Sequence, residues 1–230
     1  MTQDARRSAA MRAAAAAAVC AMVVAGAGVA AAASGGTWGT AREVPGTAAL
    51  DQGGSAEALS VSCASAGNCS AGGTYADAPD SSQAFVAGEV NGTWHAAIEV
   101  PGTAALNQGS SAAVNSVSCA SAGNCSAGGT YADGSISDIG QAFVASEVNG
   151  TWHAAIEVPG TAALNQGGAG AQVNSVSCAS AGNCAAGGFY TDGSGRPHAF
   201  VASEVNGTWH AARDVPGTAA LGQGGAQALS

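Results

Sequence analysis

Residues 116–152 read SVSCASAGNCSAGGTYADGSISDIGQAFVASEVNGTW. Val117 and Cys119 alternate with serines, the period of a β-strand with one face turned inward. The stretch SAGN breaks that strand, and a second is expected over Cys125 to Tyr131. After a loop, QAFVASEV predicts a third strand over Gln141 to Val148; its AFVA centre does not alternate, as expected where both faces of a sheet are covered. Asn149-Gly150 is a strong hairpin signal, because both positions of a type I′ turn require positive φ. A fourth strand, TWHAAIEV, is then expected from Thr151 to Val158, where Pro159-Gly160 stops it. The alanine content does not make helices, since Gly and Asn-Gly interrupt every stretch before three turns could form.

The same text recurs. SVSCASAGNC occupies 60–69, 116–125 and 175–184, and EVNGTW occupies 89–94, 147–152 and 204–209. Trp38, Trp94, Trp152 and Trp209 are spaced 56, 58 and 57 residues apart, and VPGTAAL follows each of them. The units therefore run 60–115, 116–174 and 175–230, after a partial unit at 34–59 that holds a lone last strand, Thr37 to Val44, and a linker. Four short antiparallel strands in a unit of this length predict an all-β, β-propeller-like array of four-stranded blades, three full repeats plus a partial one. Small Ala, Ser and Gly side chains would let neighbouring blades approach closely.

Charged residues make up only 9% of the 230 and lysine is absent. The formal net charge of −9 argues against nucleic acid, whose phosphates need clustered Lys and Arg, and against an anionic lipid surface. Residues 1–33 have the form of a signal peptide: Arg6, Arg7 and Arg12, then an apolar run from Ala13 to Ala33 ending in small residues before Ser34. The 21-residue run is also long enough to anchor the chain if it is retained. Export to the exterior or the cell envelope is expected. Cleavage would leave Arg42, Arg196 and Arg213 among fourteen acidic residues.

Apart from Cys20 in that run, the cysteines fall in three pairs: Cys63 with Cys69, Cys119 with Cys125, and Cys178 with Cys184, always five residues between. In an oxidising compartment each pair is expected to close as a disulfide across the first hairpin of its own unit. Zinc is the rival reading of paired cysteines, and no histidine stands at zinc-finger spacing from them.

The hairpin Ser146 to Trp152 resembles the Asp-box hairpin of sialidase-type propellers through Ser146, Gly150, Thr151 and Trp152, and Ser203 to Trp209 repeats it. Asn149 stands nearest the place of the motif's aspartate, and one residue fewer separates Gly from Thr. Over residues 34–230 the unit resembles tandem β-propeller-like repeats of uncharacterised secreted actinobacterial proteins, which implies a fold and not an activity.

His95, His153 and His210 each follow a repeat tryptophan, so they stand at equivalent places on successive units and do not converge on one catalytic centre. The tryptophans suit either hairpin anchors or sugar-stacking platforms. Asp77, Asp133 and Asp192, with Arg196 and His198, lie in the only loops that differ between units, 76–82, 132–140 and 191–198, and form the candidate binding loops. Asp-Gly turn formation accounts for Asp133 and Asp192; calcium would be the sharper role, but no calcium-loop spacing is present. NGT at 91, 149 and 206 matches a glycosylation acceptor as well as a hairpin turn.

No cofactor, metal site or catalytic set is predicted. An active site must break the symmetry of its repeats, and here one loop per unit carries the differences. The expected function is a non-enzymatic scaffold for a glycan or protein ligand. Alternatives are a sialidase-like glycoside hydrolase or a purely structural surface repeat. Three units fall short of the four blades a propeller usually needs, so the chain is expected to be a fragment, to pair as a homodimer completing a six-bladed ring, or to stay open.

Overall fold

The computed structural model of the chain describes residues 39–134, 140–167 and 170–218. The chain divides into residues 1–41 and 42–230, and the architecture below belongs to the second. The expected leader, Trp38, the centre of the second variable loop (135–139) and the segment after 218 lie outside the described residues.

The fold is all-β, with three antiparallel five-stranded sheets in chain order. The first contains β1 (Ala56–Ser65), β2 (Asn68–Ala78), β3 (Ser81–Val90), β4 (Thr93–Trp94) and β5 (Ile98–Glu99). The second contains β6 (Ala112–Ser121), β7 (Asn124–Ala132), β8 (Gly140–Val148), β9 (Thr151–Trp152) and β10 (Ile156–Glu157). The third contains β11 (Ala171–Ser180), β12 (Asn183–Thr191), β13 (Pro197–Val205), β14 (Thr208–Trp209) and β15 (Arg213–Asp214). In each sheet the long strands meander, and the two short ones both pair with the third.

The expected hairpins form. Asn149 and Gly150 have φ of 50° and 80°, and Asn91-Gly92 and Asn206-Gly207 match them. Cys63 lies directly opposite Cys69 in the ladder, Cys119 opposite Cys125, and Cys178 opposite Cys184. All three pairs are disulfide-bonded within their own hairpin: Cys63–Cys69, Cys119–Cys125 and Cys178–Cys184, with S–S distances of 2.02, 2.07 and 2.13 Å. A closed loop of seven residues restricts the unfolded chain by about 2 kcal/mol on the chain-entropy model.

The cysteines also do something that the hairpin reading did not include. Cys125 and Cys184 are buried against the sheet before their own. Cys125 Sγ lies 3.4 Å from Ser70 Oγ, and Cys184 Sγ lies 3.3 Å from Ser126 Oγ. Cys184 is therefore both a clip within the third sheet and part of its contact with the second. The Cys178–Cys184 disulfide forms as expected, and stacking of the sheets adds the contact with the Ser126 hydroxyl to it.

Four further features differ from the sequence reading. Each first strand begins four residues before the expected boundaries at 60, 116 and 175, because a bulge between Val114 and Ser116 hides the continuity of Ala112–Val114 with the serine-rich half. The same register break recurs in β1 and β11. The fourth strand is not continuous. Trp94 opposes Glu89 and Ile98 opposes Val86, so three residues bulge against two, and the Ala97 N–H leaves the sheet to meet Pro45 O at 2.6 Å. Ala155 and Ala212 reach Pro101 and Pro159 in the same way, at 2.6 and 2.7 Å. Each bulge thus fastens the preceding connection to the next sheet.

That connection is itself ordered. TAAL forms a single helical turn: α1 (Thr47–Leu50), α2 (Thr103–Leu106) and α3 (Thr161–Leu164). The buried Thr103 hydroxyl bonds Val100 O at 2.7 Å and the Glu99 carboxylate at 3.2 Å, fixing the turn to the end of its strand. Lastly, Gly39 to Val44 form no strand. Val44 and Leu50 instead pack beside Tyr75, Phe85 and Ala97 of the first sheet.

The core lies between sheets. One cluster joins Ala84, Val86 and Val100 of the first unit to Val114, Val117, Phe143 and Trp152 of the second; another joins Val144 and Val158 to Val173, Val176, Phe200 and Trp209. Gly72 and Gly128 permit this approach: a Cβ on Gly128 would lie 2.6 Å from Val173 Cγ1 and 2.9 Å from Val176 Cγ2. The first strands are also joined by polar contacts. Val117 N and Cys119 N donate to Ser60 Oγ and Ser62 Oγ at 2.9 and 3.0 Å, and Val176 N and Cys178 N donate to Ser116 Oγ and Ser118 Oγ at 3.0 Å. Backbone donors on the free edge of β6 and β11 are thereby satisfied by serines of the preceding first strand.

Candidate binding surface

The antiparallel register gives the array two unlike ends. Ala76 opposes Ser82 at the variable-loop end, whereas Cys69 opposes Glu89 at the hairpin-turn end. Seven residues of strand separate them, about 20 Å.

At the variable-loop end, Asp77 accepts from Gln83 Nε2 at 3.0 Å, and Gln83 Oε1 accepts from Asn107 Nδ2 at 2.8 Å. In the second sheet Asp133, Gln141 and Asn165 repeat the relay at 2.9 and 3.0 Å. The nearby Ser81 side chain and then the Gln83 bond hold the Asp77 carboxyl below its ordinary range. The third sheet differs. His198 replaces the glutamine, and its Nε2 lies 2.9 Å from Asp192 Oδ2 while its ring stacks on Tyr190 with centroids 5.3 Å apart. Asp192 Oδ1 gathers the Ser194 hydroxyl and the Ser194 and Arg196 amides at 2.7, 2.8 and 2.9 Å. The Ser194 hydroxyl leads the effects that hold the Asp192 carboxyl well below the carboxylate range, followed by the Arg196 amide and His198. The Arg196 side chain is exposed.

The structure thus brings Asp192, His198 and the Arg196 backbone into one cluster, and places Asp77 and Asp133 at equivalent points of separate sheets. Gln83, Gln141, Asn107 and Asn165 complete these loops and were not singled out in the sequence. Their signal was present, since Gln-Ala-Phe and Leu-Asn-Gln each recur at the repeat period.

At the opposite end, grooves open between adjacent sheets. The first, about 170 Å³, is lined by Val86, His95, Ile98, Glu147 and Trp152; the second, about 400 Å³, by Val144, His153, Ile156, Glu204 and Trp209. The indoles are anchors between sheets. Trp152 is 9% exposed, and Trp209 Nε1 donates to Ser146 Oγ at 3.1 Å. His95, His153 and His210 are exposed, one per sheet. Glu204 is buried and takes bonds from Ser146 Oγ at 2.7 Å and Ser126 Oγ at 3.2 Å, whereas the buried Glu147 has one bond, from Ser70 Oγ at 3.4 Å. Burial pushes the Glu147 carboxyl above its ordinary range, and the Ser70 bond only partly opposes it.

A pH dependence follows. A carboxyl raised in the folded state favours folding in its protonated form, so its contribution is fully present below the unfolded pKa, about 4.3, and is lost as pH rises through the folded value. Glu147→Gln is expected to raise the melting temperature at neutral pH, with the gain shrinking to nothing as pH falls below about 4. Thermal melts across that range measure it; equal gains at both ends would contradict the burial argument.

The tyrosines belong to the framework. Desolvation, followed by the hydrogen bond with Asp214, pushes the Tyr190 hydroxyl up to about 12. Tyr75 and Tyr131 are raised in the same sense, by burial first and then by Glu99 and Glu157. Among the described residues no three His, Cys, Asp or Glu side chains gather to hold a metal ion. Compared with known proteins, the chain matches no family and no curated relative.

Proposed function

We propose that the protein is an exported, non-enzymatic repeat scaffold whose sheets are blades of a propeller-like array and whose variable loops bind a glycan or protein ligand. One observation carries this reading. The units keep the same strands, turns, disulfides and inter-sheet contacts, while the loop between the second and third long strands changes length and chemistry at the same end of every sheet. Three disulfides between residues six apart support an oxidising destination. Weak contacts repeated along a rigid array add through effective concentration, which suits a surface made of equivalent loops.

The Asp192–His198 loop is the most distinctive of the set. Its carboxylate is pre-oriented by three donors, and Arg196 stands exposed beside it. A ligand rich in hydroxyls or carboxylates matches that mixture of acceptor and cation. The test is binding of the protein to glycan and cell-surface protein panels, repeated with residues 192–196 replaced by the sequence of 77–81. Selective binding that the loop exchange abolishes is expected. No binding on either panel, or binding indifferent to the exchange, would overturn the proposal. Turnover of a fluorogenic glycoside would overturn its non-enzymatic part.

A further inference from the structure

The two contacts between successive sheets are copies of one interface, and among the described residues the outer faces of the first and third sheets each leave one half of that interface exposed. Val117 and Val176 are each 6% exposed because the preceding sheet covers them, whereas Val61, their equivalent in the first sheet, is 64% exposed. Val86 and Val144 are fully buried under the following sheet, whereas Val201, their equivalent in the third, is 43% exposed. The outer faces of the first and third sheets therefore carry the two apolar halves of the contact that joins the sheets within the chain, with Ala185 standing where Ser70 and Ser126 bond the incoming glutamate, so that a partner for that carboxylate has to come from another residue.

We propose that these two faces dock on each other between chains, so that a second copy of this protein continues the array head to tail. Three features of the repeat fit that occupant. In the existing interfaces a glutamate of the later sheet, Glu147 or Glu204, enters a groove lined by an isoleucine of the earlier one, Ile98 or Ile156. In the third sheet the isoleucine position holds Arg213, which is exposed, and the incoming glutamate of a second copy is Glu89. An isoleucine would leave Glu89 without a charge partner; Arg213 supplies one. Trp209 bonds Ser146 of the earlier sheet, and the corresponding pair across the new contact is Trp94 with Ser203, both present, whereas the first interface has Gly88 at that position and offers no hydroxyl. The serine ladder also extends. Ser175 and Ser177 have no bond of the Ser116 and Ser118 kind among the described residues, and Val61 N and Cys63 N are the next donors in register.

Such a contact joins two different surfaces, so it closes into a ring when the rotation allows and otherwise continues as a filament. Both keep the Glu89–Arg213 pairing. Sedimentation of the purified protein over a concentration series is the test, with Arg213→Glu, Glu89→Arg, the double reversal, Val61→Asp and Val148→Asp. Val148 is 43% exposed, lines the groove between the second and third sheets, and serves as the control outside the contact between chains. Assemblies larger than one chain are expected. Either single reversal should weaken them at least about tenfold and the double should recover most of that loss. Val61→Asp should weaken them about a hundredfold while Val148→Asp changes nothing. Val61 and Arg213 are exposed and Glu89 half-buried in the single chain, so circular dichroism melts of the variants, taken at a concentration too low for assembly, should match the parent. A single-chain mass at all concentrations overturns the proposal. So does association indifferent to Val61→Asp, and failure of the double reversal to recover overturns the Glu89–Arg213 pairing. Loss of ligand binding without loss of assembly, or the reverse, separates this contact from the loop surface.

Discussion

Phe143→Ala is expected to destabilise the protein by about 3–5 kcal/mol. Phe143 is fully buried in the middle strand of the middle sheet, within the cluster that joins Val86 and Val100 of one unit to Val114 and Trp152 of the next. Its loss removes the transfer free energy of the ring and leaves a cavity. Collapse into that cavity is resisted by the disulfide and turns that pin the sheet. Because total stabilities are about 5–15 kcal/mol, this one change should remove a large share of the whole. Denaturant unfolding by tryptophan fluorescence reads the result directly, since Trp152 lies in the same cluster. Val148→Ala, at a position 43% exposed, should move the midpoint hardly at all. Equal effects at the two positions would mean that the core does not lie between the sheets.

The second large effect is Gly128→Val. Gly128 sits where the third sheet presses on the second, and even a bare Cβ there meets Val173 Cγ1 at 2.6 Å. Both neighbouring atoms belong to β-branched residues that are themselves buried, so they have little freedom to withdraw. The sheets must separate or tilt, at a cost of about 3 kcal/mol, the upper end for overpacking. The position of the damage distinguishes this variant from Phe143→Ala. Among the described residues the sheets pack on their neighbours in sequence, so unfolding should begin with the third unit while the first two stay folded. Hydrogen exchange is expected to show amides of β11 and β12 opening well before those of β2 and β3. Uniform loss of protection through all three sheets would contradict a nearest-neighbour array.

These two residues show what was legible in the sequence. Phe143 announced itself within AFVA, a run apolar on both faces at the centre of a strand. Its burial is as expected, and Phe85 and Phe200 repeat it. Gly128 looked like any glycine of a turn-rich chain. Its role depends on Val173 and Val176, residues more than forty positions away that meet it only when two sheets stack. The cysteines divide in the same way. The bond from Cys178 to Cys184 was legible from their spacing, whereas the approach of Cys184 to Ser126 of the neighbouring sheet was not. The loop aspartates were partly legible. Their place in the variable loops was visible, whereas the Gln83–Asn107 and Gln141–Asn165 relays behind them join segments 24 residues apart. Glu147 was invisible as a buried acid, because it follows an exposed-looking serine and precedes an Asn-Gly turn.

The amino-acid pattern alone determined the repeat period, the long strands, the Asn-Gly hairpins and the partner of each cysteine. The period is read from identical segments; the strands, turns and cysteine partners are settled by groups within about ten residues of one another, where alternation, turn preference and loop closure act directly. Only the tertiary structure decided where each first strand begins, why the fourth breaks at its bulge, that TAAL is a helical turn bound to the strand before it, and which faces remain bare. Those outcomes rest on contacts one whole unit apart. Val117 N meets Ser60 Oγ, and Ala155 N meets Pro101 O, only after two finished sheets have come together. A backbone donor on a strand edge takes whichever acceptor packing delivers to it, and no local pattern names that acceptor in advance.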